Sequence, residues 1–301
     1  MLDDYAFALL LTHDVDRPYK TYQSVYDAVR ERSPGRLLEL LSDENPYWQF
    51  EEIMDLERDL GVRSAFYFLN EQHLLFDRPI RDWFSPRHWI EHLGRYDVTA
   101  PEIVDVIETL DAGGWEVGLH GSYHTPDDRD RLREEKATLE SILGHPVLGG
   151  RQHYLNLSVP RTWEHHSAIG LRYDASAGSS TEYGFQHGYG FKRPFDDEFV
   201  VFPLTMMEVA VMQDGDLSAA EDAVEDVLRE AADNDAVMTA LWHPRYFDDG
   251  EFPGYRSLYR FLVERATEMG AWTGPPGDFY ARIDPESVAG PPPHSQPSGG
   301  M

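Results

Sequence analysis

Ala6-Phe7-Ala8-Leu9-Leu10-Leu11 runs without interruption into Thr12-His13-Asp14-Val15-Asp16. An unbroken apolar run of this length fits a strand buried on both faces, as in a parallel sheet covered by helices. The polar cluster then lies at the C-terminal end of that strand. The same arrangement recurs: strands predicted at 116–119, 147–150, 171–174 and 237–242 lead to His120, Arg151, Asp174 and His243. A further strand is expected at 63–69, and one or two more within 199–212. Helical periodicity occupies 50–60, 103–110, 127–143, 160–169, 218–232 and 255–269, with a helical excursion expected over 34–41. Such alternation predicts an α/β fold with a parallel sheet and helices outside it. In a parallel barrel the C-terminal strand ends converge on one face, so residues distant in sequence can share a pocket.

Composition narrows the function classes. The chain has 301 residues, with 54 acidic side chains against 26 basic ones and a net charge of −28. The excess is spread along the chain and lysines are few, which suits a surface hydrated in concentrated salt and suggests a halophilic source. A basic face for nucleic acid is missing, so no nucleic-acid partner is expected. There is no cysteine, which excludes thiolate nucleophiles and cysteine-ligated metals. The first residues lack the basic start of a signal peptide, and no run is long enough to span a membrane, so a cytoplasmic location is expected. One domain over 1–284 is expected, followed by a Pro/Gly-rich disordered tail over 285–301.

Several groups carry chemistry. Asp14 and Asp16 alternate on an extended segment and so face the same site; two close carboxylates call for a cation. His120 and His124, four apart, face the same side of a helical turn and can grip one metal ion. Arg151 follows a glycine pair and offers a fixed cation to clamp a carboxylate. His243, between Trp242 and Pro244, can donate a proton to a leaving amine. Asp174 either orients His243 or stabilises the turn before Gly178. His153 receives no role. Trp242 and Tyr246 are candidates for a substrate groove. The aromatic run Tyr183, Phe185, Tyr189 and Phe191 is better explained as core than as a sugar platform.

The order and spacing of these groups resemble the polysaccharide deacetylases, carbohydrate esterase family four. Thr12-His13-Asp14-Val15-Asp16 is similar to the first motif, His120-Gly121-Ser122-Tyr123-His124 to the second, Arg151-Gln152-His153-Tyr154 to the third and Leu241-Trp242-His243 to the fifth. The fourth, an Asp-Trp pair, has only Tyr173-Asp174 as its nearest counterpart. The resemblance implies a distorted (β/α) barrel of about seven parallel strands. It further implies a divalent metal, zinc by expectation, held by Asp16, His120 and His124. Asp14, held by Arg151, would be the base, the backbone N–H of Tyr154 an oxyanion donor and His243 the acid. The implied reaction removes an N-acetyl group from an amino-sugar glycan or from its lipid- or nucleotide-linked precursor. Alternatives are a metal-dependent hydrolase of a cyclic amide, and a glycan-binding module without catalysis.

Overall fold

The computed structural model describes residues 4–20, 45–75, 79–85, 88–89, 92, 95–195 and 198–283. The helix expected over 34–41 and the tail over 285–301 lie outside these residues. Strand β1 (Phe7–Val15) is buried along its whole length, longer than the apolar run alone suggested. Its odd positions Phe7, Leu9, Leu11 and Val15 join the core between sheet and helices. Its even positions Ala8 and Leu10 join a second cluster with Tyr67, Tyr173, Phe202 and Trp272. Continuing that parity, Thr12, Asp14 and Asp16 fall on the inner face, where the apolar filling gives way to polar chemistry.

Among the described residues the strands pair in parallel, with one isolated antiparallel bridge between Lys192 and Val201. β2 (Ala65–Leu69), β3 (Glu116–Gly121), β4 (Gly149–Gln152), β5 (Tyr173–Asp174) and β6 (Val200–Val201) extend one side of β1 in that order. On the other side lie β8 (Val237–Leu241) and then β7 (Leu204–Met207), while β9 (Ala271–Gly274) pairs with the first half of β1. β6 and β7 are one stretch of chain interrupted at Phe202 and Pro203. Its first half bonds to β5 and its second to β8, so the same stretch meets both ends of the sheet. Two further contacts require the sheet to curl. The Tyr67 hydroxyl on β2 lies 3.1 Å from that of Tyr173 on β5, and Arg151 on β4 reaches Asp14 on β1 at 2.7 Å. The result is a distorted (β/α) barrel. Gly149 makes room inside it, since a Cβ there would lie 2.2 Å from the Tyr173 ring.

Helices α1 (Phe50–Leu60), α2 (Pro101–Ala112), α3 (Arg129–Leu143), α4 (Arg161–Ala168), α5 (Glu208–Val211), α6 (Leu217–Asp233) and α7 (Tyr255–Glu268) come between strands, and α8 (Pro276–Ile283) closes the described chain. Phe279 and Tyr280 of α8 pack in the inner cluster. α1 stops where Gly61 takes a left-handed φ of 71° and its N–H caps the last turn. β9 and α8 are elements that hydrophobic periodicity did not announce. Among the described residues no helix is long and apolar enough to cross a membrane.

His13, expected with the strand-end cluster, points outward by the same parity. Its Nδ1 lies 2.6 Å from the Trp242 carbonyl and its Nε2 3.0 Å from Glu57 Oε1. Glu57, fully buried on α1, also accepts from Trp115 Nε1 at 2.6 Å and from the Tyr259 hydroxyl. Removing one member of such a buried polar set leaves the others desolvated and unpaired. Glu57→Ala is therefore expected to cost about 3–5 kcal/mol of stability, read as a fall in the urea midpoint. A loss below about 1 kcal/mol would show that the network is dispensable.

Glu135 on α3 is also fully buried. It accepts from the Ser122 backbone N–H at 3.2 Å, from the Ser122 hydroxyl and from Arg131 Nε at 3.1 Å, tying down the segment after His120. Burial outweighs these bonds and pushes its carboxyl up to about 7. The folded protein therefore holds a proton that the unfolded chain releases near pH 4.5, and this group's contribution to stability falls as pH rises from about 4.5 to about 7. Glu135→Gln is expected to remove that slope, worth about 3 kcal/mol across the window. Denaturation midpoints measured from pH 5 to pH 8 test this; parallel curves for the two proteins would refute it.

Candidate active site

The inner-face residues at the C-terminal strand ends gather at one pocket of about 490 Å³. Its floor is an ion pair. Arg151, with no exposed surface, places Nη1 2.7 Å from Asp14 Oδ1 and 3.0 Å from Thr12 Oγ1, and its Nε donates to the Ala175 carbonyl at 2.8 Å. The guanidinium is thus fixed from three sides and holds one oxygen of Asp14 still. The other oxygen, Oδ2, turns toward His120, 3.8 Å from its Nε2.

Asp16, His120 and His153 lie close enough to serve one metal ion: one ligand atom from each falls within 4.8 Å of the others. Asp16 Oδ1 is 3.0 Å from His120 Nε2 and 3.6 Å from His153 Nε2. His120 Nδ1 meets the Arg151 carbonyl at 2.9 Å. A carbonyl only accepts, so Nδ1 carries a proton and Nε2 is the nitrogen turned to the cluster. Burial opposes a charged ring, but Asp14 and the hydrogen bond to Asp16 outweigh it and raise the His120 pKa, so a metal bound at Nε2 would displace a proton held there against Asp16. Burial, only partly offset by Asp16, pushes His153 down to about 4, leaving it the neutral imidazole that metals bind. Burial alone would raise Asp16, but His153, His120 and His243 outweigh it and hold the carboxyl well below its ordinary range. The donor set therefore suits a divalent cation.

His124 is not part of this cluster. It is exposed, and its ring stands edge-on to His88 at 5.0 Å and to Tyr123 at 4.9 Å. The four-residue spacing assumes a helical turn, yet β3 runs on to Gly121 and α3 begins only at Arg129. The intervening residues are turns, so His120 and His124 do not share a face. His153 takes the place expected for His124. It lies two residues beyond Arg151 at the end of β4, and the alternation that pairs Asp14 with Asp16 would have found it.

His243 completes the arrangement from β8. Its Nδ1 donates to Glu208 Oε1 at 2.6 Å, and its Nε2 faces Asp16 Oδ2 at 3.4 Å. Burial opposes the charged ring, but Glu208 and Asp16 outweigh it and push His243 up to about 10. Glu208, fully buried at the start of α5, falls within the 199–212 stretch whose pattern predicts strand. Asp174 does not orient His243. Its neighbour Tyr173 faces inward, so Asp174 faces outward, accepting from Trp163 Nε1 at 3.1 Å and Ser176 N at 3.0 Å. It secures the turn that presents the Ala175 carbonyl to Arg151.

Trp242 is likewise no groove residue. It is fully buried against Tyr259 of α7, and its Nε1 donates to the Tyr255 carbonyl at 3.2 Å. Alternation along β8 sends Trp242 out and His243 in. Tyr246 does line the pocket, with Tyr47, Leu155, Met207 and Phe252. Tyr154 also lines it, 64% exposed and held at a left-handed φ of 57°. Phe185 and Phe191 pack on the core, while Tyr183 and Tyr189 are exposed away from the pocket.

No family model and no curated protein matches the sequence. Solved structures do match in shape. A candidate polysaccharide deacetylase from Mycobacterium smegmatis aligns over 99% of this chain and 96% of its own, with TM-score 0.62 and 16% identity. Another, from Pseudomonas aeruginosa PAO1, aligns over 94% and 93% with TM-score 0.59 and 11% identity. This is the polysaccharide deacetylase fold. The fold is broader than one reaction, since the Puue allantoinase aligns over 93% and 92% with TM-score 0.57 and 14% identity. At these identities the deacetylase fold is common ground, and the chemistry rests on the side chains in the pocket.

Proposed function

We propose that this protein is a metal-dependent hydrolase that removes N-acetyl groups from an amino-sugar glycan or its activated precursor. The observation that carries it is the placement of Asp14, clamped by Arg151 at 2.7 Å, beside the Asp16–His120–His153 cluster, with the Glu208-held His243 facing it. A divalent cation, zinc by our assignment, would be held by Asp16, His120 and His153, polarising the acetamide carbonyl and acidifying the water beside it. Asp14 Oδ2 takes the proton of that water as its oxygen adds to the carbonyl carbon. The backbone N–H of Tyr154 donates to the carbonyl oxygen as it gains charge. Protonated His243, steadied by Glu208, gives its Nε2 proton to the amine as the C–N bond breaks. Acetate and a free amino sugar result. Tyr246 forms one wall for the sugar.

The assay is acetate release from N-acetylglucosamine oligomers by zinc-loaded protein in molar salt, with and without chelator. Release that stops with chelator and returns with zinc is expected. Turnover of a cyclic ureide without acetate release would move the protein to amide-ring hydrolysis. Inertness toward both would leave a binding module.

A further inference from the structure

Two guanidinium groups in the pocket are unused by this hydrolysis. Arg17 follows Asp16 and Arg245 lies two residues past His243; both line the main pocket and the narrower cleft beside it. Arg245 is half-buried on the short 3-10 turn Pro244–Phe247. Its guanidinium lies 4.8 Å from the Tyr246 ring centre, and its Nη2 is 3.4 Å from the Tyr246 hydroxyl. Tyr246 is itself fixed, stacked on Tyr255 at 4.7 Å and edge-on to Phe252 at 4.5 Å. The arginine is therefore presented on a rigid aromatic base.

Among the described residues no carboxylate lies within the 4.0 Å ion-pair distance of Arg245. The carboxylates that act on it from farther away are Asp16 and Glu208. Both are engaged already, Asp16 by three histidines and Glu208 by His243. In a chain with 54 acidic and 26 basic side chains, an arginine without an acidic partner runs against the composition. The charge balance of the pocket points the same way. Arg151 neutralises Asp14, and a divalent cation would more than neutralise Asp16. Arg245, with no carboxylate at ion-pair distance among the described residues, then leaves its side of the pocket cationic within a molecule of net charge −28. A neutral sugar gains nothing from that excess.

Building on the deacetylase reading, we propose that the substrate bears an anionic oxygen group, phosphate or carboxylate, next to its acetamido sugar, and that Arg245 binds this group with Arg17 beside it. The planar fork of arginine matches two oxygens of either anion at once. Phosphate would come from a nucleotide- or lipid-linked sugar, carboxylate from an acidic sugar, and substrate choice separates them.

The test compares wild type, Arg245→Gln and Arg245→Lys, all zinc-loaded. Substrates are a neutral N-acetylglucosamine oligomer, N-acetylglucosamine 1-phosphate, its nucleotide-diphosphate form and an N-acetylated amino uronic acid. Wild type is expected to favour an anionic substrate by about ten-fold or more in kcat/KM. Arg245→Gln is expected to shrink that preference by a similar factor, chiefly through KM, and Arg245→Lys to restore part of it. Equal rates on neutral and anionic substrates, or an equal loss on all of them in Arg245→Gln, would overturn the proposal. Calorimetric binding of glucosamine 1-phosphate against glucosamine gives a readout independent of turnover. Arg245-dependent binding of the phosphorylated sugar without any acetate release would sink the deacetylase reading and keep the anion site. Acetate release with neither preference nor selective binding would do the reverse.

Discussion

Asp14→Asn is expected to lower kcat by about 10³-fold, within the range for loss of a general base, while zinc stays bound at wild-type stoichiometry. The amide keeps an oxygen for Arg151 Nη1, which now sits 2.7 Å from Asp14 Oδ1, so the floor of the pocket persists. What disappears is a basic oxygen at Oδ2. Substrate affinity should change little, because Asp14 acts on water and not on the sugar. Turnover, KM and metal content measured on one preparation test each part. Activity above a tenth of wild type would place the base elsewhere. Loss of zinc would make Asp14 a ligand and exchange the roles of the two aspartates.

The second large effect concerns His153 and His124. His153→Ala is expected to weaken zinc binding by at least about 100-fold, whereas His124→Ala is expected to bind as wild type does. The contrast follows from placement: His153 Nε2 lies 3.6 Å from Asp16 Oδ1, and the exposed His124 ring stands against His88 and Tyr123. Competition with a chromogenic chelator measures both constants without any substrate. The opposite pattern would mean that the segment from Ser122 to Asp128 rewinds around the ion.

Most of the frame was legible because its signals are local and periodic. The apolar run 6–11 announced β1, and the parity that put Asp14 and Asp16 on one face proved sound through Val15, which packs outward. Arg151 followed from its glycine pair, of which Gly149 admits the Tyr173 ring and Gly150 the close approach of the Leu119 carbonyl. Failures arose where a spacing rule was applied without its secondary structure. His120 and His124 were read as a helical pair, but strand and turn separate them. Trp242 and Asp174 were placed by proximity in sequence, and parity turns both outward. Glu208 carries no sequence mark, because its meeting with His243 depends on how the chain comes round from β7 to β8.

That path around the barrel divides the active site into two mechanical halves. The proposed metal ligands and the base come from β1, β3 and β4 with the turn beyond it, a run of the sheet braced on its outer side by α1, α2 and α3. The acid and its carboxylate come from the ends of β8 and β7, on one side of the junction where Val200–Val201 bond to one end of the sheet and Leu204–Met207 to the other. Loosening that junction by mild denaturant would open the Glu208–His243 pair before it disturbs the ligands, as local unfolding follows the least-buttressed hydrogen bonds. The enzyme would then hold its ion and still fail to release the amine, so ion retention and turnover would be lost in sequence and not together.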